Sequence, residues 1–140
     1  MAAMPSGSEA MQIKGLPPLA QACALGDRLQ VQKLIDGGAD LNQRNDDGNS
    51  AVWLCCYSNS VEILELLAYY GADLNNQNKD GATALVYASS AGKTEVVRTL
   101  LALGADTALV TEDGFTALDI AASRPVLKLL RQTVNVAERV

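Results

Sequence analysis

Residues 80–106, DGATALVYASSAGKTEVVRTLLALGAD, decide the fold. Asp80-Gly81 is a turn signal, because Asp can bond its own backbone and Gly accepts a left-handed conformation. Thr83 stands where it can cap a helix over residues 84–91 by accepting from an orphan backbone N–H. Gly92 ends that helix. Thr94 opens a second one, with Val96, Val97, Leu100 and Leu101 at helical spacing along one face, and Gly104 stops it. Helices of about ten residues are too short to persist alone in water. They need neighbours to pack against.

Working outward, the neighbours are copies of the same unit. Gly38-Ala39-Asp40-Leu41-Asn42 recurs as Gly71-Ala72-Asp73-Leu74-Asn75 and again as Gly104-Ala105-Asp106, each 33 residues on. Asp47-Gly48 recurs as Asp80-Gly81 and Asp113-Gly114 at the same step, with Ser50, Thr83 and Thr116 at a constant offset behind. Two independent markers with one period indicate a stacked repeat, in which each unit buries its apolar stripe on the next.

These residues resemble the ankyrin-repeat family. Its unit carries an Asp-Gly-x-Thr-Pro-Leu-His-x-Ala block, a Gly between helices, a Val-Val-x-x-Leu-Leu second helix and a closing Gly-Ala-Asp. The third copy supplies Asp80-Gly81, Thr83, Leu85, Ala88, Gly92, Val96-Val97, Leu100-Leu101 and Gly104-Ala105-Asp106. The resemblance implies an all-α ankyrin solenoid of four helix-turn-helix repeats with short hairpin loops. The expected repeats are about 13–45, 46–78, 79–111 and 112–131, the first and last acting as caps, with tails at 1–12 and 132–140.

The departures carry information. The family's Pro is Ala51, Ala84 and Ala117 in the later copies and survives as Pro18 in the first. Its His becomes Ala20, Trp53, Val86 and Asp119, so the usual Thr-to-His hydrogen bond is expected nowhere. Asn59 stands where Gly26 and Gly92 stand, and asparagine is the next best residue for a left-handed position. In the fourth copy the second helix follows the third copy's by 29 residues, four short of the period, with Pro125 at its start. The four missing residues are expected to come out of the interhelix turn. Lys128 and Arg131 put charge on what would be a stacking face.

The chain has 140 residues, 49% apolar, so one ordinary domain with a core is expected. Eleven Lys and Arg against sixteen Asp and Glu give a net charge of -5, which argues against broad nucleic-acid binding. The chain contains no histidine, which excludes His-based acid/base relays, Ser-His or Cys-His nucleophile pairs and His-containing zinc sites. Cys23, Cys55 and Cys56 fall at small-residue packing positions and form no disulfide framework. Gly37-Gly38 is a helix stop rather than a phosphate loop, and Ala91-Gly92-Lys93-Thr94 lacks the upstream Gly and preceding strand of one. No cofactor and no metal site is expected, and the chain is read as a non-enzyme. Residues 1–15 lack the apolar core of a secretory signal, and no run is long enough to span a bilayer. A cytoplasmic protein that touches neither membrane nor nucleic acid, and is monomeric when free, is the expectation.

The family binds partners on its concave face, made by hairpin tips and the outward sides of the first helices. By position, that surface comprises Arg44, Asp46, Asp47, Asn49, Tyr57 and Ser58, then Gln77, Lys79, Asp80, Ala82, Ser90 and Ala91, then Val110, Glu112, Asp113, Phe115 and Ser123. Tyr57 and Phe115 are the expected anchors, since exposed aromatics are favoured at interfaces. Trp53 is expected to wedge between adjacent repeats. The tips carry five acids and two cations, but the three turn-forming aspartates account for all of the excess, so no strong demand for a basic partner follows. The functional expectation is a protein–protein interaction module, working as an adaptor or as a regulatory or inhibitory subunit. The alternative is an assembly chaperone or targeting factor that holds a client subunit.

Overall fold

The computed structural model describes residues 16–138, with side chains described through residue 134. The expected tail at 1–12 lies outside the described residues. Among the described residues seven helices follow in chain order: α1 (Pro18–Leu25), α2 (Arg28–Asp36), α3 (Ala51–Tyr57), α4 (Val61–Tyr69), α5 (Ala84–Ser90), α6 (Thr94–Ala102) and α7 (Arg124–Glu138). Among the described residues there is no strand. The architecture is the all-α repeat solenoid that the period implies.

Each boundary has a local cause. Pro18 starts α1, where its missing N–H is an orphan in any case. The Asp27 carboxylate caps α2 by accepting from the Gln30 N–H at 3.1 Å, and Thr83 Oγ1 caps α5 by accepting from the Val86 N–H, also at 3.1 Å. The interhelix turns are left-handed at Gly26, Asn59 and Gly92, with φ of 71°, 59° and 69°. Asn59 thus does what glycine does in its neighbours.

Packing is pairwise along the stack: α1 on α3 on α5 in one row, and α2 on α4 on α6 on α7 in the other. Small residues let the first row approach closely, chiefly Ala20, Cys23, Ala51, Cys55, Cys56, Ala84 and Ala88, all buried. The second row supplies bulk, with Leu64, Leu67, Val97, Leu100 and Leu130 fully buried. The three thiols are buried and unpaired.

The fourth unit departs from expectation twice. Residues 117–120 form a turn rather than a first helix. Thr116 Oγ1 accepts from the Asp119 N–H at 3.2 Å and Asp119 Oδ2 accepts from the Thr116 N–H at 2.9 Å, a reciprocal helix-starting pair. Asp119 therefore restores, at the family's His position, a hydrogen bond to Thr that was expected to be missing. But the four absent residues are taken from the helix itself, and Ser123 already accepts from the Val126 N–H at 3.4 Å to cap α7. Secondly, α7 runs 15 residues to Glu138, across the expected boundary at 131. Every other second helix is stopped by a glycine, and residues 131–138 contain neither Gly nor Pro.

Candidate functional site

The hairpin tips are tied to one another by side chains and backbone repeating at the sequence period. Arg44 donates from Nε to Gly48 O in its own turn at 3.1 Å and from Nη2 to Gln77 O in the next unit. One period on, Gln77 Nε2 does the same, to Gly81 O at 3.0 Å and Val110 O at 2.9 Å. Val110 has no side-chain donor, so the ladder ends there. A backbone ladder runs beside it: the Lys79 N–H donates to Asp47 O at 3.1 Å and the Glu112 N–H to Asp80 O at 2.8 Å. Glycine is required where the strands of this ladder meet. A Cβ on Gly81, whose φ is 77°, would sit 2.7 Å from the Glu112 nitrogen.

Inside the first two tips, one asparagine organises the turn; at the third, Thr111 Oγ1 takes its place and accepts from the Phe115 N–H at 3.1 Å. Asn45 Oδ1 accepts from the Asp47 and Asn49 N–H groups, at 3.0 and 2.9 Å. Asn78 Oδ1 accepts from the Asp80 and Ala82 N–H groups, at 2.9 and 3.0 Å. Asn78 Nδ2 also donates to Asn49 Oδ1 at 3.0 Å. That bond weakens one expectation: Asn49 is only 7% exposed and its amide oxygen is turned to the next tip rather than to the open face.

The remaining expected residues divide by what their polar atoms already do. Asp46, Lys79, Glu112, Ser90 and Ala91 are exposed, as is Arg44 despite its hydrogen bonds. Ala82 is half-buried. Ser58 is half-buried and its hydroxyl is spent, donating to Cys23 O at 2.8 Å and pairing with Ser60 Oγ at 2.6 Å. Gln77 and Ser123 serve the ladder and the α7 cap. Phe115 and Val110 stand at the last tip, 48% and 45% exposed.

Tyr57 is half-buried and belongs to a cluster. Its ring stacks on Trp53 with centroids 6.2 Å apart, and Trp53 meets Tyr87 of the next unit at 4.5 Å. Trp53 is thus the inter-repeat wedge that its position implied. Lys93 completes the group: its Nζ donates to Tyr57 O at 3.0 Å and Asn59 Oδ1 at 3.1 Å, and lies 5.7 Å from the centre of the Tyr87 ring. Burial pulls the Lys93 pKa below its ordinary value. Burial raises that of Tyr87, with Tyr57 and Cys56 adding to the rise. The Cys56 thiol beneath them is pushed up to about 12, again by burial. A thiol held protonated and out of solvent packs; it does not attack.

Tyr87, Lys93 and Leu25 were not among the expected site residues. Tyr87 occupies the register of Leu54, which is buried, so the period assigns it to the core. Leu25 shares the register of Ser58 and Ala91 and is 63% exposed; its apolar side chain in that otherwise polar or small series was the available signal. Among the described residues, no group of three His, Cys, Asp or Glu side chains could hold a metal ion. No helix among them is long and apolar enough to cross a membrane.

A family model described as ankyrin repeats in three copies matches residues 4–78, and one described as ankyrin repeats in many copies matches residues 59–121. Among solved structures, the chain is similar to the ankyrin repeat domain of Bcl-3, described as a unique member of the IkappaB protein family. The two are 36% identical with a TM-score of 0.79, over 84% of this chain and 52% of that one. The chain therefore spans about half the length of that solved domain.

Proposed function

The chain belongs to the ankyrin-repeat family and is a protein–protein interaction module, and from that premise we propose that it is an adaptor or a regulatory, inhibitory subunit docked through its tip-and-first-helix face. The observation that carries this reading is the Trp53–Tyr57–Tyr87 cluster on the first helices, together with the strip of tips cross-linked by the Arg44–Gln77–Val110 ladder. A surface ordered before the encounter loses little conformational entropy when a partner docks. Aromatic rings offer large contact areas with few rotatable bonds. Leu25 and Phe115 extend the apolar surface toward the two ends. A net charge of -5 makes a protein a better partner than a nucleic acid, and the unpaired buried thiols suit a reducing cytoplasm. The free module is a monomer in this reading, and its work is binding rather than turnover.

Affinity capture from native lysate, run in parallel with the wild type and a Tyr57→Ala/Phe115→Ala variant, tests this. The reading expects a stoichiometric partner whose recovery falls about tenfold or more in the variant while the variant's fold is retained. Equal recovery on both baits would contradict it. A partner seen only during its own synthesis would support a client-holding chaperone instead.

A further inference from the structure

We propose that the outward face of α7 is a second docking site, independent of the tip face, that takes an acidic segment of a protein partner. Val126 and Leu130 of this helix are fully buried and Leu129 packs against the core. At about 100° per residue, Arg124, Lys128 and Arg131 fall within an arc of about 60° on the opposite side, over about 10 Å of helix. All three are exposed. The ion pairs among the described residues, Arg28–Glu62 and Arg98–Glu95, involve none of them. With Leu127 and Gln132 they line a shallow cleft of about 410 Å³.

The charge distribution along the chain sharpens this. Residues 120–140 hold four cations and one acid, a net of +3, whereas residues 1–119 hold seven cations and fifteen acids, a net of -8. An exposed helix face requires polar groups, but either sign would serve. A single-sign stripe on an otherwise acidic chain is complementary to carboxylates, which arginine forks grip bidentately. The stripe's length matches one or two turns of a peptide. A nucleic acid or an anionic bilayer is a far larger polyanion, and it would bring its phosphates within a Debye length of about 8 Å of the acidic repeats. Half-buried Leu127 adds an apolar contact beside the cations.

Fluorescence anisotropy on the full chain tests the proposal, with a short labelled peptide alternating glutamate pairs with leucine as the probe. Binding is expected, weakening as salt rises from 50 to 300 mM. It should fall about tenfold or more in Arg124→Glu/Lys128→Glu/Arg131→Glu and by an intermediate factor in the milder Lys128→Gln/Arg131→Gln. Arg28→Glu/Lys33→Glu, two cations elsewhere, and Tyr57→Ala, on the tip face, should each leave it within about twofold. Amide shifts on titration should centre on residues 124–132. The proposal is overturned if the charge-reversed, still helical variant binds the probe as well as wild type, or if the shifts lie elsewhere. It is also overturned if single-stranded DNA or phosphatidylserine vesicles bind the stripe more tightly than the peptide, or if sedimentation shows two copies of the chain joined through it.

Discussion

The third unit and the fourth begin alike, with Asp80-Gly81-Ala82-Thr83-Ala84-Leu85 and Asp113-Gly114-Phe115-Thr116-Ala117-Leu118, and then diverge. Both threonines accept from the N–H three residues on, at 3.1 and 3.2 Å. In the third unit a helix follows; in the fourth the chain turns and is held by an Ala122 N–H bond to Ser89 O at 3.0 Å. A cap satisfies one orphan donor, but it does not supply the residues or the neighbour that a helix needs. The third unit has enough chain and is covered on both sides. The fourth is four residues short and is covered on one.

The largest consequence of that asymmetry lies in the core. Leu85 is fully buried, while its counterpart Leu118 is only partly so. Leu85→Ala should cost about 2–5 kcal/mol in urea unfolding, and Leu118→Ala less than half as much. Equal costs would mean that the fourth unit is packed like an inner repeat.

Alkaline unfolding separates the N-terminal half from both of these units, neither of which contains a cysteine. Cys56 has its pKa raised by burial from 9.0 to about 12. A raised pKa stabilises the fold below the unfolded value and loses that contribution as pH climbs through the folded one. The melting temperature should therefore fall between pH 9 and pH 12, and more gently in Cys56→Ala than in wild type. A parallel fall in both proteins would remove Cys56 from the account.

The hairpin tips give a smaller and sharper contrast. Gly81 and Gly114 share the left-handed backbone, with φ of 77° and 86°, so alanine at either is strained by about 1 kcal/mol. Only at Gly81 does the new Cβ meet backbone, at 2.7 Å; at Gly114 there is nothing within 4 Å. Gly81→Ala should exceed Gly114→Ala by at least about 1 kcal/mol. Smaller again, Gln77→Ala removes one hydrogen bond within its own turn and one to the next tip and should cost about 1 kcal/mol. Phe115→Ala, at the open last tip, should stay within about 0.5 kcal/mol.

Much of this was legible in the sequence because the information is local or periodic. The Gly stops, the Thr83 cap and the left-handed Asn59 each follow from one residue's backbone preference. The pairing of units follows from the step of 33. What escaped depends on contacts between units. Asn49 looks like a surface polar residue until Asn78 of the next tip bonds it. Tyr87 takes a core register, yet its ring meets Trp53 beside Lys93. The turn at 117–120 and the run of α7 past 131 both come from what the fourth unit lacks, four residues and a terminating glycine. A period read from complete copies carries those features forward by default.

Amide hydrogen exchange at Lys79 and Glu112 tests most directly whether the tips form one pre-ordered strip. Both N–H groups leave their own unit to bond the tip before it. The account predicts protection approaching that of Leu100 inside α6, because the bonds open only when adjacent units separate. Exchange at both positions as fast as in an unstructured peptide would show the tips moving independently, and the rigid docking face would be lost with them.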